Sequence, residues 1–273
     1  MRNSYTIDAN DRMNLLAKCR ECWERRDLIR MLSLRDIKVR YTQTLLGMLW
    51  AVINPLISLL LLLFVFHVVV HVDTGGVPPL LFTISGLCAW NYFSKVVGES
   101  GISIVGAQDL VKKIYFPRLI IPISKAMGGL IDLVIILLFL AVLLIGYHYP
   151  IDLHTFLLIP CILLLFIIAS GFGIWVSALT IRFRDFHYIV PVMLRIGMFV
   201  SPLAFNTSMV PSQYQWLMGL NPLTGIIDGF RYALFQTPFD STVMLLSLGI
   251  GVIISVTGLY YFVSMEKYIA DIV

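Results

Sequence analysis

Two charged side chains lie inside apolar segments of this sequence, where ionised groups are rare. Asp132 comes early in the third apolar segment and Arg195 comes early in the fifth. A charge within the hydrocarbon is costly and normally faces a partner or a water-filled path. We therefore expect either an Asp132–Arg195 ion pair or two separate contacts to an anionic substrate headgroup. Alternatively, Arg195 extends to the inner lipid headgroups, because only residues 189–194 precede it in its segment.

Aromatic side chains concentrate near the first two apolar segments. Tyr41 and Trp50 lie close to the start of the first, and Trp90, Tyr92 and Phe93 lie in the second. Their flat, partly polar faces suit stacking on sugar rings. Aromatic belts at the membrane interface explain many of them equally well. The pattern therefore leaves two interpretations open, a carbohydrate path and an interfacial belt.

Motifs of hydrolytic enzymes and of metal sites are missing or incomplete. The sequence has no HExxH, no GxSxG and no Gly-Lys dipeptide, so it has no Walker A loop with which to hydrolyse ATP. His67 and His71 have a spacing that can bind metal, but interfacial polar residues more often explain it. Cys19 and Cys22 form a single CxxC pair without a second. We expect no metal site and no cofactor in this chain, and no enzymatic activity of its own.

Composition indicates a membrane protein. Hydrophobic residues make up 59 % of the chain and charged residues 13 %, with a mean hydropathy of +0.88. Crossing the hydrocarbon as a helix takes about 20 apolar residues, and lipid offers no partners to a free backbone group. Six stretches qualify, namely 49–70, 80–97, 124–147, 156–180, 189–205 and 243–263. The sequence thus predicts an all-α membrane protein with six transmembrane helices, of which the short second and fifth face protein or an aqueous cavity.

Lysine and arginine fall almost entirely on one side of these stretches. Residues 1–48 carry ten, 95–125 carry five and 181–188 carry two, whereas 71–79 and 146–155 carry none. Because basic residues near span ends stay on the cytoplasmic side, we expect both termini to be cytoplasmic. The net charge of +4 is explained by attraction to anionic membrane lipids. We expect no nucleic-acid partner.

The chain divides into a cytoplasmic N-terminal segment, residues 1–48, and a transmembrane domain, residues 49–273. Within the first, residues 11–31 have the spacing of an amphipathic helix, which we expect to lie in the inner interface. A cytosolic helix packed on its own domain is the alternative.

The segment 205–242 is apolar but repeatedly interrupted by proline. It is too apolar for a free loop and too interrupted for one span. It predicts two short helices on the outer face, which are candidates for an outer gate. A lid packed on the helix bundle, without a gating role, is the alternative.

Three groups of short motifs favour one interpretation of this chain over the others. They are Arg35-Asp36-Ile-Lys38-Val-Arg40-Tyr41 with Leu46-Gly47, Trp50 and Asn54-Pro55; Lys112-Lys113 with Phe116-Pro117-Arg118; and Arg184-Asp185-Phe186 with Ser201-Pro202 and Asn221-Pro222-Leu223. In this order, and at these places relative to the spans, they resemble the transmembrane permeases of ABC-2-type polysaccharide exporters. The likeness is greatest to O-antigen (lipopolysaccharide) export permeases, with teichoic-acid and capsule permeases close behind.

The resemblance implies a homodimer of this chain joined to two copies of an ABC ATPase subunit, which would bind ATP and magnesium. It implies a polysaccharide on undecaprenyl pyrophosphate as the substrate, carried outward across the bacterial inner membrane. The coupling region that rests on the ATPase would be residues 106–118, with Lys112, Lys113, Phe116, Pro117 and Arg118.

The same resemblance assigns roles to residues on the substrate's path. Arg35, Lys38 and Arg40, with Arg195, would meet the pyrophosphate, because arginine forks match phosphate oxygens; anchoring by the positive-inside rule is the alternative. The channel aromatics would be Tyr41, Trp50, Trp90, Tyr92, Phe93 and Phe199. The outer gate would contain Trp216, Asn221, Pro222 and Arg231.

Two other functions stay open. One is an ABC-2 exporter of a small lipid or drug, although such proteins often carry larger outer domains. The other is a membrane-embedded transferase, although no convergent catalytic groups stand out near the membrane surface. A passive channel is less favoured, because no ring-forming polar series is visible.

Overall fold

A computed structural model describes residues 15–42, 46–113, 116–150 and 152–272, with the backbone alone for Leu16, Met48, Lys113 and residues 267–272. Every regular element within these ranges is helical. The α-helices are α1 (Leu15–Glu24), α2 (Arg26–Thr42), α3 (Trp50–Leu62), α4 (Pro79–Gly106), α5 (Gln108–Lys113), α6 (Ile120–Gly146), α7 (Leu158–Arg182), α8 (Phe186–Val200), α9 (Gln215–Gly219), α10 (Thr224–Phe235) and α11 (Ser241–Ile272).

Five helical stretches of the described chain are long and apolar enough to cross a membrane. They are Trp50–Val69, Pro79–Gly106, Ile120–Gly146, Leu153–Arg182 and Ser241–Glu266. The first joins α3 to a π-helical turn, Leu63–Val69, and the fourth begins with a 3₁₀ turn, Leu153–Leu157. The remaining predicted span corresponds to α8, which has 15 residues. At about 1.5 Å per residue, α8 alone is shorter than the hydrocarbon layer.

The second apolar segment forms the centre of the bundle. The prediction that it is short is wrong, because α4 has 28 residues and continues well past Val97. The prediction that it faces protein is confirmed, since most of its side chains are buried. Polar residues such as Lys95 and Glu99 are accommodated in its second half because they face other helices rather than lipid.

Small residues let four helices pack closely around this centre. Helix α4 lies along α6 and α7, and α7 lies along α11. A Cβ atom on Gly173 would come 2.8 Å from the Cβ of Ser100, and one on Gly258 would come 2.8 Å from the carbonyl oxygen of Gly171. Such close backbone approaches are typical of helix pairs in membranes. Helices α4, α6, α7 and α11 therefore form a tightly packed frame.

Helices α3 and α8 are held much less firmly. In α3 only Leu59 and Leu62 are buried, and in α8 only Val190 is buried. Each helix also contains an internal proline, Pro55 in α3 and Pro191 in α8. Large apolar faces of both helices are thus left uncovered within one chain.

The N-terminal segment forms two helices rather than one. Helices α1 and α2 are separated at Arg25, and residues 11–14 of the predicted amphipathic helix lie outside the described ranges. Helix α2 packs on α6, where the Ser33 hydroxyl donates to the carbonyl oxygen of Ser124 at 2.8 Å. Its opposite face exposes Met31 and Val39. The amphipathic helix predicted for residues 11–31 is thus divided between α1 and the start of α2, and its place in the membrane interface stays a prediction.

Two short helices, α9 and α10, follow the bend after α8, as the sequence predicts for this segment. They behave differently, because α9 exposes Trp216 and Leu217, whereas 11 of the 12 residues of α10 are buried. Helix α10 packs against α4, α7 and α11. It is therefore part of the bundle rather than a cover lying on it.

Candidate substrate-binding site

Four charged side chains from three helices meet in the half of the bundle next to α2. Arg40 lies near the end of α2, Lys95 and Glu99 lie on α4, and Asp132 lies on α6. Lys95 and Glu99 are four residues apart, so they project from the same face of α4. Helix α2 brings Arg40 to this face because it packs along α6.

Arg40 joins the two carboxylates. Its Nη2 donates to both oxygens of Glu99, at 2.6 and 2.8 Å, and its Nη1 donates to Oδ2 of Asp132 at 3.2 Å. The Lys95 ammonium contacts the same Asp132 oxygen, and the Tyr41 hydroxyl donates to the other. Each charge thus has at least one opposite partner, which offsets the cost of placing it among apolar helices. The four side chains remain 17–32 % exposed, so the cluster is not sealed.

A cavity of about 370 Å³ opens beside this cluster. Its walls come from α2, α3, α4 and α6, and its lining residues are Arg40, Tyr41, Trp50, Ala51, Asn54, Pro55, Ser58, Asn91, Tyr92, Lys95, Asp132, Leu133 and Ile136. The lining combines charged groups with amides, hydroxyls, aromatic rings and aliphatic side chains. Pockets of this size and mixed lining are typical of small-ligand sites.

Several polar residues of this lining were missed by the sequence analysis. Asn54 and Ser58 follow Trp50 at four-residue spacing, and Asn91 precedes Lys95 at the same spacing. A polar stripe with helical spacing inside an apolar segment is the signal that could have found them. The Nδ2 atom of Asn91 is buried and has no hydrogen-bond partner among the described residues.

The predicted channel aromatics divide between the cavity and the core. Tyr41, Trp50 and Tyr92 line the cavity, with the Tyr92 hydroxyl donating to the carbonyl oxygen of Ala126 at 3.1 Å. Trp90 and Phe93 are only 6 % and 5 % exposed, so in this structure they are core residues rather than path residues.

Packing between neighbouring helices explains this core position. The ring of Phe93 meets that of Phe172 edge to face at 5.3 Å, and a Cβ on Gly197 would come 2.8 Å from Cη2 of Trp90. Phe199 lies apart from the cavity, on the exposed face of α8.

The predicted Asp132–Arg195 ion pair is wrong for this chain. Asp132 is bound by Arg40, Lys95 and Tyr41, whereas Arg195 is exposed and forms no ion pair with any described residue. The reason is topological, because α8 packs against α4 and α7, while Asp132 faces α2 from α6. Similar depth along two helices did not make them neighbours.

A second cavity, of about 350 Å³, lies on the other side of Arg40. It is bounded by α2, the end of α4, the start of α6 and Leu110 of α5. Asp36 lines it and accepts from Lys125 at 2.5 Å and from Arg35 at 2.9 Å. Burial alone would raise the pKa of Asp36, but these hydrogen bonds outweigh it and lower the pKa below its ordinary value. Lys38 is exposed beside them.

Some of the predicted coupling residues pack within this chain rather than lying on its surface. Phe116 and Pro117 are buried, in a core patch that includes Ile104, Ile120 and Phe262. The Arg118 guanidinium donates to the carbonyl oxygen of Glu266 on α11. Lys112 is exposed at the end of α5, and the Lys113 side chain lies outside the described part of the chain.

Helix α1 also reaches the end of α11. The Lys18 ammonium lies 3.0 Å from the Glu266 carboxylate. Cys22 is buried at this contact, and burial raises the pKa of its thiol to about 12, so the thiol stays protonated at neutral pH. Cys19 is exposed. No group of three or more His, Cys, Asp or Glu side chains among the described residues is placed to hold a metal ion.

A second charged cluster lies at the other end of α4 and includes the predicted gate residue Arg231. This side chain is 1 % exposed and donates to the carbonyl oxygens of Phe205 and Leu203 at 3.1 and 2.7 Å. Its guanidinium carbon lies 3.6 Å from the ring centroid of Phe82. Asp228 lies 3.9 Å away and accepts from the Thr207 hydroxyl at 3.0 Å.

Asn221 holds the segment after α8 at a second place. Its Nδ2 donates to Ser201 Oγ at 2.8 Å, and the Ser247 hydroxyl donates to the backbone carbonyl oxygen of Asn221 at 2.7 Å. Pro222 packs near Gly251 of α11. Asn221 and Arg231 therefore tie the segment after α8 to α4 and α11, and Trp216 alone of the predicted gate residues is largely exposed.

Comparison with known sequences identifies one protein family and several similar proteins. The sequence model of the ABC-2 type transporter family matches residues 27–235. An "O-antigen export system permease protein RfbA" of Klebsiella pneumoniae is 28 % identical over 247 residues, covering 90 % of this chain and 95 % of its own length.

More distant matches carry similar names. A protein of Myxococcus xanthus with the same name as the Klebsiella relative is 27 % identical over 80 % of this chain and 84 % of its own length. The "Polysialic acid transport protein KpsM" of Escherichia coli is 28 % identical over 75 % of this chain and 80 % of its own length. All three are similar to this chain along most of their length.

Proposed function

Because the chain belongs to the ABC-2 type transporter family, we propose that it is the permease subunit of an exporter for a lipid-linked polysaccharide of the O-antigen kind. The names of its relatives support this proposal, since they describe O-antigen export and polysialic acid transport. The single structural observation that carries it is the cavity beside Arg40 and Lys95. That cavity combines cations, amides and an accessible tryptophan, as an anionic sugar-bearing headgroup requires.

The substrate we propose is a glycan on undecaprenyl pyrophosphate. Arg40 is placed at the cavity, and Arg35 and Lys38 lie on α2 nearby, where they would draw the pyrophosphate from the inner leaflet. The aromatic ring of Trp50, 40 % exposed, would offer a stacking face to the first sugars. Neutral amphiphiles would gain little from this arrangement.

Transport requires an energy source, and this sequence contains no Walker A motif with which to hydrolyse ATP. We propose that a separate ABC ATPase, with its ATP and magnesium, docks beside α5 and drives the movement. Lys112 is exposed there, while Phe116 and Pro117 are buried before α6 and Arg118 donates to the end of α11. A push on α5 would thus be passed to both α4 and α11.

The proposed assembly contains two copies of this chain in the bacterial inner membrane, with both termini cytoplasmic. The uncovered apolar faces of α3 and α8 are where we place the second copy and the path between the two copies. Arg195 and Phe199 lie on that face of α8, and an exposed arginine in an apolar helix is more stable beside water or phosphate than beside acyl chains. Helix α8 with the bend that follows would make the sixth crossing, and α9 with α10 would border the outer opening.

The test is purification of the chain from its native membrane in mild detergent, followed by mass spectrometry of what accompanies it. We expect a stoichiometric Walker A protein and a polyprenyl-linked glycan. An ATPase with a small lipid instead of a glycan would favour the small-lipid exporter. Recovery of the chain without any ATPase would refute the proposal and reopen the transferase interpretation.

A further inference from the structure

We propose that the Asp132 carboxylate is the resident anion of a phosphate-binding site, and that it holds the place which a phosphate group of the substrate takes on entering the cavity. This inference rests on the proposed function, because it assigns one part of the same substrate to one position in the chain. The ligand class is a phosphate or diphosphate ester of a lipid.

The geometry around Asp132 supports this assignment. Arg40 Nη1 donates to Oδ2 at 3.2 Å, the Lys95 ammonium contacts the same oxygen, and the Tyr41 hydroxyl donates to Oδ1. Guanidinium and ammonium groups bind carboxylate and phosphate oxygens in the same way. Three donors that converge on one carboxylate would therefore bind a phosphate group without rearranging.

The charge balance of the cavity permits exchange. Two cations, Arg40 and Lys95, face one carboxylate, Asp132, along the lining, because Glu99 is not part of this wall. Glu99 instead holds the far side of the Arg40 fork, at 2.6 and 2.8 Å. Arg40 would thus stay in position when Asp132 gives way. With Glu99 counted, two cations face two carboxylates, so a singly charged phosphate can take the place of the Asp132 carboxylate without changing the charge balance.

The space beside Asp132 is suited to what a lipid phosphate carries. The cavity of about 370 Å³ is lined by Trp50, Asn54 and Asn91 as well as by the charged side chains. A sugar attached to the phosphate would meet one aromatic face and two amides there.

The same arrangement excludes neutral competitors. A ligand without a phosphate that displaced Asp132 would leave Lys95 and one arm of Arg40 without an acceptor. Unpaired partly buried charges are costly. Asp132 would therefore act as a specificity-determining residue, which admits anionic headgroups and rejects neutral ones.

The experiment uses the purified complex of this chain with its ATPase in nanodiscs, with farnesyl diphosphate as the probe and farnesol as the neutral control. Binding is followed by thermal unfolding over a range of probe concentrations. For the wild type we expect stabilisation by farnesyl diphosphate and none by farnesol. For Lys95→Gln we expect affinity about tenfold weaker, the effect of losing one charge-assisted contact.

The informative variant is Asp132→Asn. Without probe its complex should unfold at a lower temperature, because Arg40 and Lys95 lose their shared anion. With farnesyl diphosphate it should recover, and its affinity should be about tenfold tighter than that of the wild type, because no internal carboxylate competes. A purely structural role would give the loss of stability without the recovery.

Asp36→Asn is the matched control. Asp36 is 16 % exposed and binds one lysine and one arginine, as Asp132, 17 % exposed, does, but it lines the other cavity. It should lower the unfolding temperature without changing probe affinity and without recovery.

If Asp132→Asn binds farnesyl diphosphate more weakly than the wild type does, the inference is overturned. Equal affinities in all variants would also overturn it, and export of glycan by the wild type would then keep the proposed function intact with its phosphate site elsewhere. Failure of the wild type to export glycan would refute the proposed function instead.

Discussion

The two charged clusters of this protein contain the same kinds of side chain but differ in what surrounds them. At one end of α4, Arg40 is 30 % exposed, meets two carboxylates and borders two cavities. At the other end, Arg231 is 1 % exposed, meets backbone carbonyls and an aromatic ring, and lines neither of the two cavities described above.

The difference shows that charge alone does not distinguish a side chain that can bind a ligand from one that stabilises the fold. Burial of the side chain, and the presence or absence of a cavity beside it, make the distinction. Two donor groups of Arg231, Nη1 and Nη2, are used by carbonyl oxygens that a ligand could not replace without unfolding the chain after α8. Its Nε is buried and has no hydrogen-bond partner among the described residues. The partners of Arg40 are side-chain carboxylates, which another anion can imitate. We therefore propose a stabilising role for the cluster around Arg231, which the proposed orientation places on the outer side, and substrate contact for the cluster around Arg40, which it places on the inner side.

The largest expected effect comes from breaking the outer cluster. Arg231→Met would leave Asp228 buried without its cation and the carbonyls of Leu203 and Phe205 without donors. Losing one partner of a buried pair costs about 3–5 kcal/mol. We expect little folded protein, measured as yield and unfolding temperature in detergent. The double variant with Asp228→Asn should recover part of the stability, and a wild-type unfolding temperature for the single variant would contradict the assignment.

The next effect comes from the inner cluster and has the opposite character. Arg40→Gln should cost only about 1 kcal/mol, because the pair is partly exposed and screened by solvent. Glycan export should nevertheless fall by about tenfold or more, because a phosphate loses its guanidinium. Export is measured as surface glycan in a deletion strain. A variant that folds normally and exports normally would remove substrate contact from this cluster.

Arg195 allows the comparison to be extended to a third environment. It is exposed on α8 and forms no ion pair with any described residue. Arg195→Met should change the free energy of unfolding by less than about 0.5 kcal/mol, as surface substitutions usually do. If α8 lines the path between two copies, export should fall several-fold. Unchanged export together with unchanged stability would leave Arg195 as a lipid-headgroup anchor.

The smallest expected effect concerns pH. Because the folded pKa of Asp36 lies below its ordinary value near 3.8, its pairing stabilises the protein above that value and is lost only as pH falls through the folded pKa. Between pH 5 and 8 this contribution should be constant. Asp36→Asn should therefore lower the unfolding temperature by the same amount at pH 5.5 and at pH 8. A difference between the two would mean that this carboxyl is not held ionised.

Much of the helical framework was predictable from the sequence. Five apolar segments appear as long helices, because hydropathy and length alone decide that a segment can span. The two short helices after Pro202 were also predictable from the spacing of prolines. The length of α4 was not, because Lys95 and Glu99 look like the end of a span until their partners on α2 and α6 are known.

The site was predicted in part. Tyr41, Trp50, Tyr92, Arg40 and Asp132 were each singled out, and the structure brings them to one cavity. The partner of Asp132 was assigned to Arg195, because depth along a span says nothing about which helices are neighbours. Burial of Trp90 and Arg231 depends on the packing of α8 and α10 against α4, which no local pattern encodes.

The uneven packing of the helices has a mechanical consequence. At Gly171, Gly173 and Gly258 the helices α4, α7 and α11 approach so closely that an added Cβ would collide with the next helix, so we expect these tightly packed helices to move together. Helices α3 and α8 have few contacts to break, and Pro55 and Pro191 each remove a backbone hydrogen bond from them. If the proposed substrate passes beside α3 and α8, these two helices can therefore bend to admit a bulky chain while the other helices stay in place, at little cost in core packing.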